Sequence, residues 1–407
     1  MSTEPLTAPA PLQLPDGRPA ASAWSLDPRV RHLNHGSFGA VPRAAQEVQA
    51  ALRRRMEESP VEWFPVQPQR IAEARREIAA FLRAGEEETA LVPNASGGAS
   101  VVFGCLPHRP GAEILVTDHG YGAVTMGAAR LARRWGGTVR TVHVPLDATA
   151  DEACRAVTDA FTDRTALAVV DHITSATARL MPVDRIAAEA RRRGVTLLVD
   201  GAHAPGMLAD PLAGLDADYW VGNLHKFPCA PRGTAALVAR TERRQDLHPL
   251  IDSWGAPAPF PDRFDHQGTI DATHYLAAPA ALAFVEDTWG WDTVRAYVTA
   301  LADHAQRTVA DAFTRLTGED HTVRVAMPAP ALRLVRLPGG LGATREEADA
   351  LREEAARELR VMAAFTSFGG TGYLRLSAHA YNTPEDYEHF AETCVPVLTD
   401  WARERRR

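Results

Sequence analysis

Short apolar runs separated by helical stretches limit what this chain can fold into more than any other feature. Thr89-Ala90-Leu91-Val92-Pro93, Glu113-Ile114-Leu115-Val116-Thr117, Ala166-Leu167-Ala168-Val169-Val170 and Val195-Thr196-Leu197-Leu198-Val199 read as strands. So do Thr138 to Val144, Asp218-Tyr219-Trp220-Val221-Gly222 and Ala235-Ala236-Leu237-Val238-Ala239, the last of these expected to run antiparallel. Runs that are apolar throughout are buried on both faces, and strands alternating with helices predict a mostly parallel sheet between helical layers, an α/β architecture. Ligands of such sheets sit beyond the carboxyl ends of the strands. The polar motifs follow those ends: Asn94 to Ser100, Asp118 to Ala123, Asp171 to Thr177, Asp200 to His203 and Asn223 to Lys226.

The 407 residues are enough for more than one domain. The Pro/Ala-rich stretch 1–23 reads as a mobile N-terminal arm. A large domain is expected over 24–275, with helices over about Pro42–Glu58 and Gln67–Arg83, and a smaller α+β domain over 276–407, assisted by the N-terminal segment. In the smaller domain, helices near Asp292–Leu316, Arg345–Glu358 and Pro384–Arg403 alternate with strands near Ala331–Arg336, Leu359–Ala364 and Tyr373–Ser377.

Composition narrows the function. The net charge is -7 and no strongly basic block occurs, which argues against nucleic acid or an anionic membrane as partner. The tail Arg403, Arg405, Arg406 and Arg407 reads as a solvated helix end. Four cysteines without CxxC spacing argue against a zinc site or a disulfide framework, so no metal is expected and a reducing cytoplasm fits. No apolar run approaches the ~20 residues of a membrane helix, and the N-terminus lacks an apolar signal core.

Two residues carry the chemistry. Asp200 ends one strand and Lys226 follows the next, so both can face a planar cofactor. A lysine amine suits a Schiff base with pyridoxal phosphate (PLP), and a carboxylate beside the pyridine nitrogen favours its protonated, electron-withdrawing form. A buried Asp–Lys ion pair is the plainer alternative. Asn94-Ala95-Ser96-Gly97-Gly98-Ala99-Ser100 leaves backbone N–H groups at a helix start, which suits a phosphate, though it is neither a Walker loop nor a dinucleotide fingerprint and a structural turn serves equally. His119, His172 and Asp171 read as residues that fix loops.

Val199-Asp200-Gly201-Ala202-His203 with Gly222-Asn223-Leu224-His225-Lys226 resembles the class V aminotransferase family of fold-type I PLP enzymes. Leu33 to Gly39, Thr117 to Ala123, Ala230 to Thr234 and Ser253-Trp254-Gly255 resemble its isopenicillin N epimerase-like branch. The resemblance spans Leu33 to the C-terminus. It implies a mostly parallel seven-stranded sheet and a PLP-binding large domain. Lys226 would hold PLP, Asp200 would pair with the ring nitrogen, and His203 and Ser175 would approach the ring hydroxyl. Tyr121 would stack on the ring. Ser96, Gly97, Asn223 and His225 would bind the phosphate. Gly268 and Thr269 would reach the phosphate of a neighbouring subunit, implying a homodimer with a shared active site. Arg375 would hold the substrate α-carboxylate, for which a bidentate guanidinium is suited, and Asn34 and His35 would line the substrate side. Two departures stand out: Ser175 replaces a frequent Asn, and Ala178 a common Gly.

The expected activity is a PLP enzyme acting at Cα of an amino acid or amino-acid-derived metabolite, epimerase- or racemase-like, within secondary metabolism. The same residues serve a C–S or other β-lyase, a decarboxylase, a cyclase or a transaminase. For epimerisation Tyr121 and His35 are candidates for the second acid–base group. A cysteine desulfurase is disfavoured because Val361 to Gly372 contains no cysteine. A non-catalytic relative has no use for the Lys226, Asp200 and phosphate-loop set, and a nucleotide-binding oxidoreductase lacks its fingerprint.

Overall fold

The computed structural model describes residues 8–406; the first seven residues of the expected mobile arm and Arg407 of the basic tail lie outside the described residues. Two compact units form. One comprises Val41–Ser175 and Leu180–Phe284, the other 8–40, 176–179 and 285–406.

The first unit holds a seven-stranded sheet. Across it the strands lie in the order Thr89–Val92, Ala235–Ala239, Tyr219–Asn223, Thr196–Asp200, Thr165–Asp171, Glu113–Thr117 and Thr138–Val142. Six point the same way, and Ala235–Ala239 is antiparallel to both its neighbours, so the mostly parallel sheet expected from the apolar runs is present. Leu167, Leu198, Val221 and Leu237 are fully buried, and they share one core with Val101, Val102 and Leu131 of the covering helices. Each such side chain contributes about 1.5–3 kcal/mol by leaving water. The edge strand Thr138–Val142 is largely exposed and carries Thr and Arg, which keeps an open sheet edge from pairing further. The parallel register sets Asp171 beside Asp200, and Asp200 beside Val221. Two neighbouring strands therefore finish at one level, and the third runs two residues further, to Asn223.

The second unit has a three-stranded antiparallel sheet, Ala364–Phe368, Thr371–Ser377 and Leu332–Arg336 in that order. Helices Trp291–Thr317, Arg345–Glu358 and Pro384–Arg405 belong to the same unit. Arg31–His32 pairs in parallel with Val361–Met362, which ties the N-terminal segment into this unit. Of the arm, Gln13 bridges to Pro19 and its carbonyl accepts from Trp289 Nε1 at 2.6 Å, while Trp24 is buried against Trp289.

Two elements differ from the sequence reading. The helix expected from about Gln67 begins at Pro60 and runs through Pro65 and Pro68. Proline at the first helical position is tolerated; Pro65 and Pro68 free the carbonyls of Val61 and Phe64, the first on an exposed residue and the second on a half-buried one, within reach of water. The strand expected over Leu359–Ala364 is instead Val361–Met362 followed by Ala364–Phe368, which turns at Gly369-Gly370 into Thr371–Ser377. Both glycines have positive φ, 55° and 73°, as a two-residue hairpin turn requires.

Candidate active site

In the first unit, the site is built on the ends of adjacent strands. Trp220 explains part of the local sequence: its indole lies where a Cβ on Gly201 or Gly222 would come within 2.3 Å and 2.1 Å of it. Only glycine lets the two strand ends pack under this ring. The chain then leaves the sheet at Asn223, and Leu224 N–H donates to the Thr234 carbonyl and Ala230 N–H to that of Leu224. The resulting closed turn carries Lys226, which is buried. Its Nζ lies 3.0 Å from His203 Nε2.

Asp200 is 2% exposed. Its Oδ1 accepts the Ala202 N–H at 3.0 Å, while Oδ2 has no hydrogen-bond partner among the described residues. Burial raises this carboxyl above its ordinary range, against the pull of the Ala202 N–H and of the Lys226 charge. Asp171 is also buried, and burial followed by the neighbouring Asp200 charge pushes it well above the usual carboxylate range. Asp171 Oδ1 is 3.4 Å from the N–H of Tyr121, which precedes the helix Gly122–Arg134. The Tyr121 side is left 45% exposed, an open aromatic face next to a buried carboxylate pair.

The phosphate-loop residues are also drawn together. Asn94 caps the helix Ala95–Cys105 by accepting the Gly97 N–H, and Asn223 Oδ1 accepts the Ala95 N–H, each at 2.8 Å. Ser96 N–H is left without an acceptor among the described residues, whereas the Gly97 N–H is committed to Asn94. His225 Nδ1 is buried without a described partner. Burial, then the Lys226 charge, lowers that imidazole to about 4. These features fit PLP. A protonated ring nitrogen would answer the orphaned Asp200 Oδ2, and a phosphate would answer Ser96 N–H and His225 Nδ1. Gly268 and Thr269 lie on a partly exposed loop before the helix Thr273–Trp289, and no described hydrogen bond ties them to the Lys226 cluster. Ser175 follows the strand Thr165–Asp171, and its N–H is directed at Asp171.

The second unit gathers Asn34, His35 and Arg375. The bridge between Asn34 and Ser377 sets the N-terminal turn beside the strand Thr371–Ser377. Arg375 is buried, and its Nη2 donates to Asn34 Oδ1 at 2.9 Å and Ser37 Oγ at 3.1 Å. His35 Nδ1 is 3.1 Å from Tyr381 Oη, and its ring stacks on His379 with centroids 3.7 Å apart. Ser37, His379 and Tyr381 were not singled out in the sequence. Asp171 and His172 were read as loop residues, yet both are buried and His172 N–H donates to the Asp200 carbonyl at 2.7 Å. His119 Nε2 meets the Val144 carbonyl at 2.6 Å and does fix a loop. Ala178 has φ +51°, a left-handed conformation that accounts for the glycine usual there.

Comparison with known proteins aligns with this geometry. The family model for class V aminotransferases matches residues 66–390. The isopenicillin N epimerase of Streptomyces clavuligerus is 31% identical over 397 residues, covering 93% of this chain and 97% of that protein. That of Amycolatopsis lactamdurans is 33% identical over 405 residues, covering 91% and 98%. The solved structure of the cystine C–S lyase C-DES, in complex with its product cysteine persulfide, superimposes with a TM-score of 0.78 at 21% identity, covering 91% of this chain and 97% of that one. Among the described residues no helix is long and apolar enough to cross a membrane.

Proposed function

We propose that this chain, which belongs to the class V aminotransferase family in its isopenicillin N epimerase-like branch, is a PLP enzyme that inverts Cα of an amino acid or amino-acid-derived metabolite. Asp200 carries this reading: a buried carboxylate oxygen without a partner, on the strand next to the one that leads to Lys226, calls for a cationic donor such as a pyridinium. The identity to two isopenicillin N epimerases over nearly the whole of both chains supports the epimerase-like outcome.

Bound PLP supplies an electron sink for the charge left at Cα when a bond there breaks. In this reading Lys226 anchors the cofactor and takes or returns the proton at Cα. His203 Nε2, 3.0 Å away, holds Nζ in position and, with Ser175, faces the ring hydroxyl. Asp200 keeps a proton on the ring nitrogen, and that positive charge offsets the cost of burying the carboxylate. Tyr121 covers the ring face. Ser96 N–H and His225 take the phosphate, while Gly97, held by Asn94, and Asn223, holding the Ala95 N–H, shape the loop around it. Arg375, oriented by Asn34 and Ser37, binds the substrate carboxylate, and Asn34 and His35 shape the substrate side.

The same reading makes the larger domain the PLP-binding one and the protein a cytoplasmic homodimer, with Gly268 and Thr269 reaching the phosphate of the neighbouring subunit. Leu250, Ile251 and Trp254, the last 89% exposed, support a covered face on that same stretch. Four cysteines without a disulfide among the described residues support a reducing compartment.

The test is to incubate the holoenzyme with candidate amino acids in deuterated water. Deuterium at Cα with loss of optical activity, and no keto acid or thiol released, is the expected result. Pyruvate with ammonia, or sulfide, would replace the epimerase reading by a β-lyase. A wild-type protein that stays colourless with added PLP would remove the PLP assignment, and a visible band unchanged in Lys226→Ala would remove Lys226 as the anchor.

A further inference from the structure

The opposite edge of the large sheet carries a second charged site. Arg164 immediately precedes the strand Thr165–Asp171, and Arg193 lies just before Thr196–Asp200. Arg109 lies on the loop that enters Glu113–Thr117, and Arg243 sits in the short helix Glu242–Asp246 that follows the antiparallel strand Ala235–Ala239. Because Ala235–Ala239 runs opposite to its neighbours, its end meets their beginnings. All four arginines therefore arrive, from four separate segments, at the amino edge of the sheet. They line one open cavity of about 730 Å3, with Asp163 as the one carboxylate among its walls. The Lys226 cluster lies at the carboxyl edge, a full strand length away.

Even with Asp163 in the walls and Glu189 paired to Arg193, the four arginines leave this cavity net positive on a chain of net charge -7, a local inversion of sign. Two of the four are held in place. Arg243 Nη1 donates to Thr196 Oγ1 at 2.7 Å, while Arg193 pairs with Glu189 and lies over the Phe161 ring at 6.0 Å. The side chains of Arg109 and Arg164 have no described partner, and both are exposed. All four residues border one cavity of small-molecule size. Arginine forks match phosphoryl oxygens two at a time, which a field of lysines would not do.

From the meeting of Arg109, Arg164, Arg193 and Arg243 around one cavity at the amino edge of the sheet, we infer a binding site for a small anion bearing two or more linked phosphoryl groups. It stands apart from the proposed reaction and from the cofactor's own phosphate. Arg109 and Arg164, uncommitted in the free protein, supply the new charge-assisted bonds. Arg193 and Arg243 supply the preorganised part.

The experiment is calorimetric titration of the PLP-loaded protein, its cofactor site filled, with inorganic tripolyphosphate, pyrophosphate, monophosphate and citrate at matched ionic strength. One saturable site per chain is expected, tightest for tripolyphosphate and weakest for monophosphate. Arg164→Ala should weaken tripolyphosphate about tenfold, and Arg164→Ala with Arg193→Ala about a hundredfold, as loss of charged hydrogen bonds predicts. Arg109→Ala gives an independent check of the same loss, and because the residue is exposed it leaves the fold intact. No saturable binding, an affinity unchanged in the double variant, or citrate binding tighter than tripolyphosphate would each overturn the assignment.

Discussion

His172 makes this fold sensitive to acid in a way that can be worked out from its surroundings. Its ring is buried, Nδ1 has no described partner, and burial lowers the imidazole from its ordinary 6.5 to about 4, with Asp184 a weak opposing influence. The unfolded chain therefore binds a proton at this position between pH 6.5 and 4 that the native chain refuses. For a depressed group the stability is fully present above 6.5 and is lost as pH falls toward 4. At about pH 5 the unfolded form has gained roughly 1.5 units' worth of protonation free energy at 1.36 kcal/mol per unit, so His172 costs about 2 kcal/mol relative to pH 8. Urea unfolding of the cofactor-free protein, followed by circular dichroism at about pH 8 and pH 5, measures this. Wild type should lose about 2 kcal/mol more between the two than His172→Gln. The variant removes the titration, so its own cost at neutral pH cancels in the difference. Equal losses in the two proteins would refute the reasoning, because the buried neutral histidine would then not be the group that titrates. The backbone N–H of His172 holds the Asp200 carbonyl, so protonation of the ring disturbs the strand end that carries the cofactor carboxylate.

Further outcomes follow from the same geometry. Asp200→Asn should weaken PLP binding by about 1.5–3 kcal/mol through loss of a charge-assisted bond, read as cofactor retained after gel filtration; retention equal to wild type would remove Asp200 from the ring nitrogen. Arg375→Ala should raise the substrate KM about tenfold or more with the cofactor still bound, and an unchanged KM would break the carboxylate assignment. Gly222→Ala forces a Cβ within 2.1 Å of Trp220 and should destabilise by about 1–3 kcal/mol. Combining it with Trp220→Phe should recover part of the loss; if Gly222→Ala alone leaves the thermal midpoint unchanged, the close packing of that strand end is not as described.

How much of this could be seen in the sequence depends on whether the determinant is local. Strands such as Thr196–Asp200 and Tyr219–Asn223 were legible because full burial on both faces demands an unbroken apolar run, and a run is a local property. The helix Pro60–Leu82 begins earlier than its sequence suggests because the rule against internal proline assumes that the freed carbonyls are buried, whereas those of Val61 and Phe64 lie on exposed and half-buried residues. The hairpin at Gly369-Gly370 did leave a signal, paired glycines between strand-forming residues, that a reading of one strand near Leu359–Ala364 passed over.

The candidate site divides along the same line. Asp200 and Lys226 stand in short motifs and could be named from them. Asp171 could not, because an acid after an apolar strand has the same appearance as any turn. It acquires meaning only once sheet order makes Thr165–Asp171 the neighbour of Thr196–Asp200, setting two carboxylates side by side in register. His379 and Tyr381 reach His35 from 344 and 346 positions along the chain, where the N-terminal turn is bound beside Ser377 through Leu33, Asn34 and Gly36, and no spacing rule encodes that meeting. The arginines at the amino edge of the sheet are the extreme case. Each is an ordinary loop residue in the sequence, and they become one site only because an antiparallel strand returns the chain to the edge where its parallel neighbours begin. Residues whose partners are set by strand order are thus where a structure adds function to a sequence, and in the first unit they lie at both ends of the strands of the seven-stranded sheet.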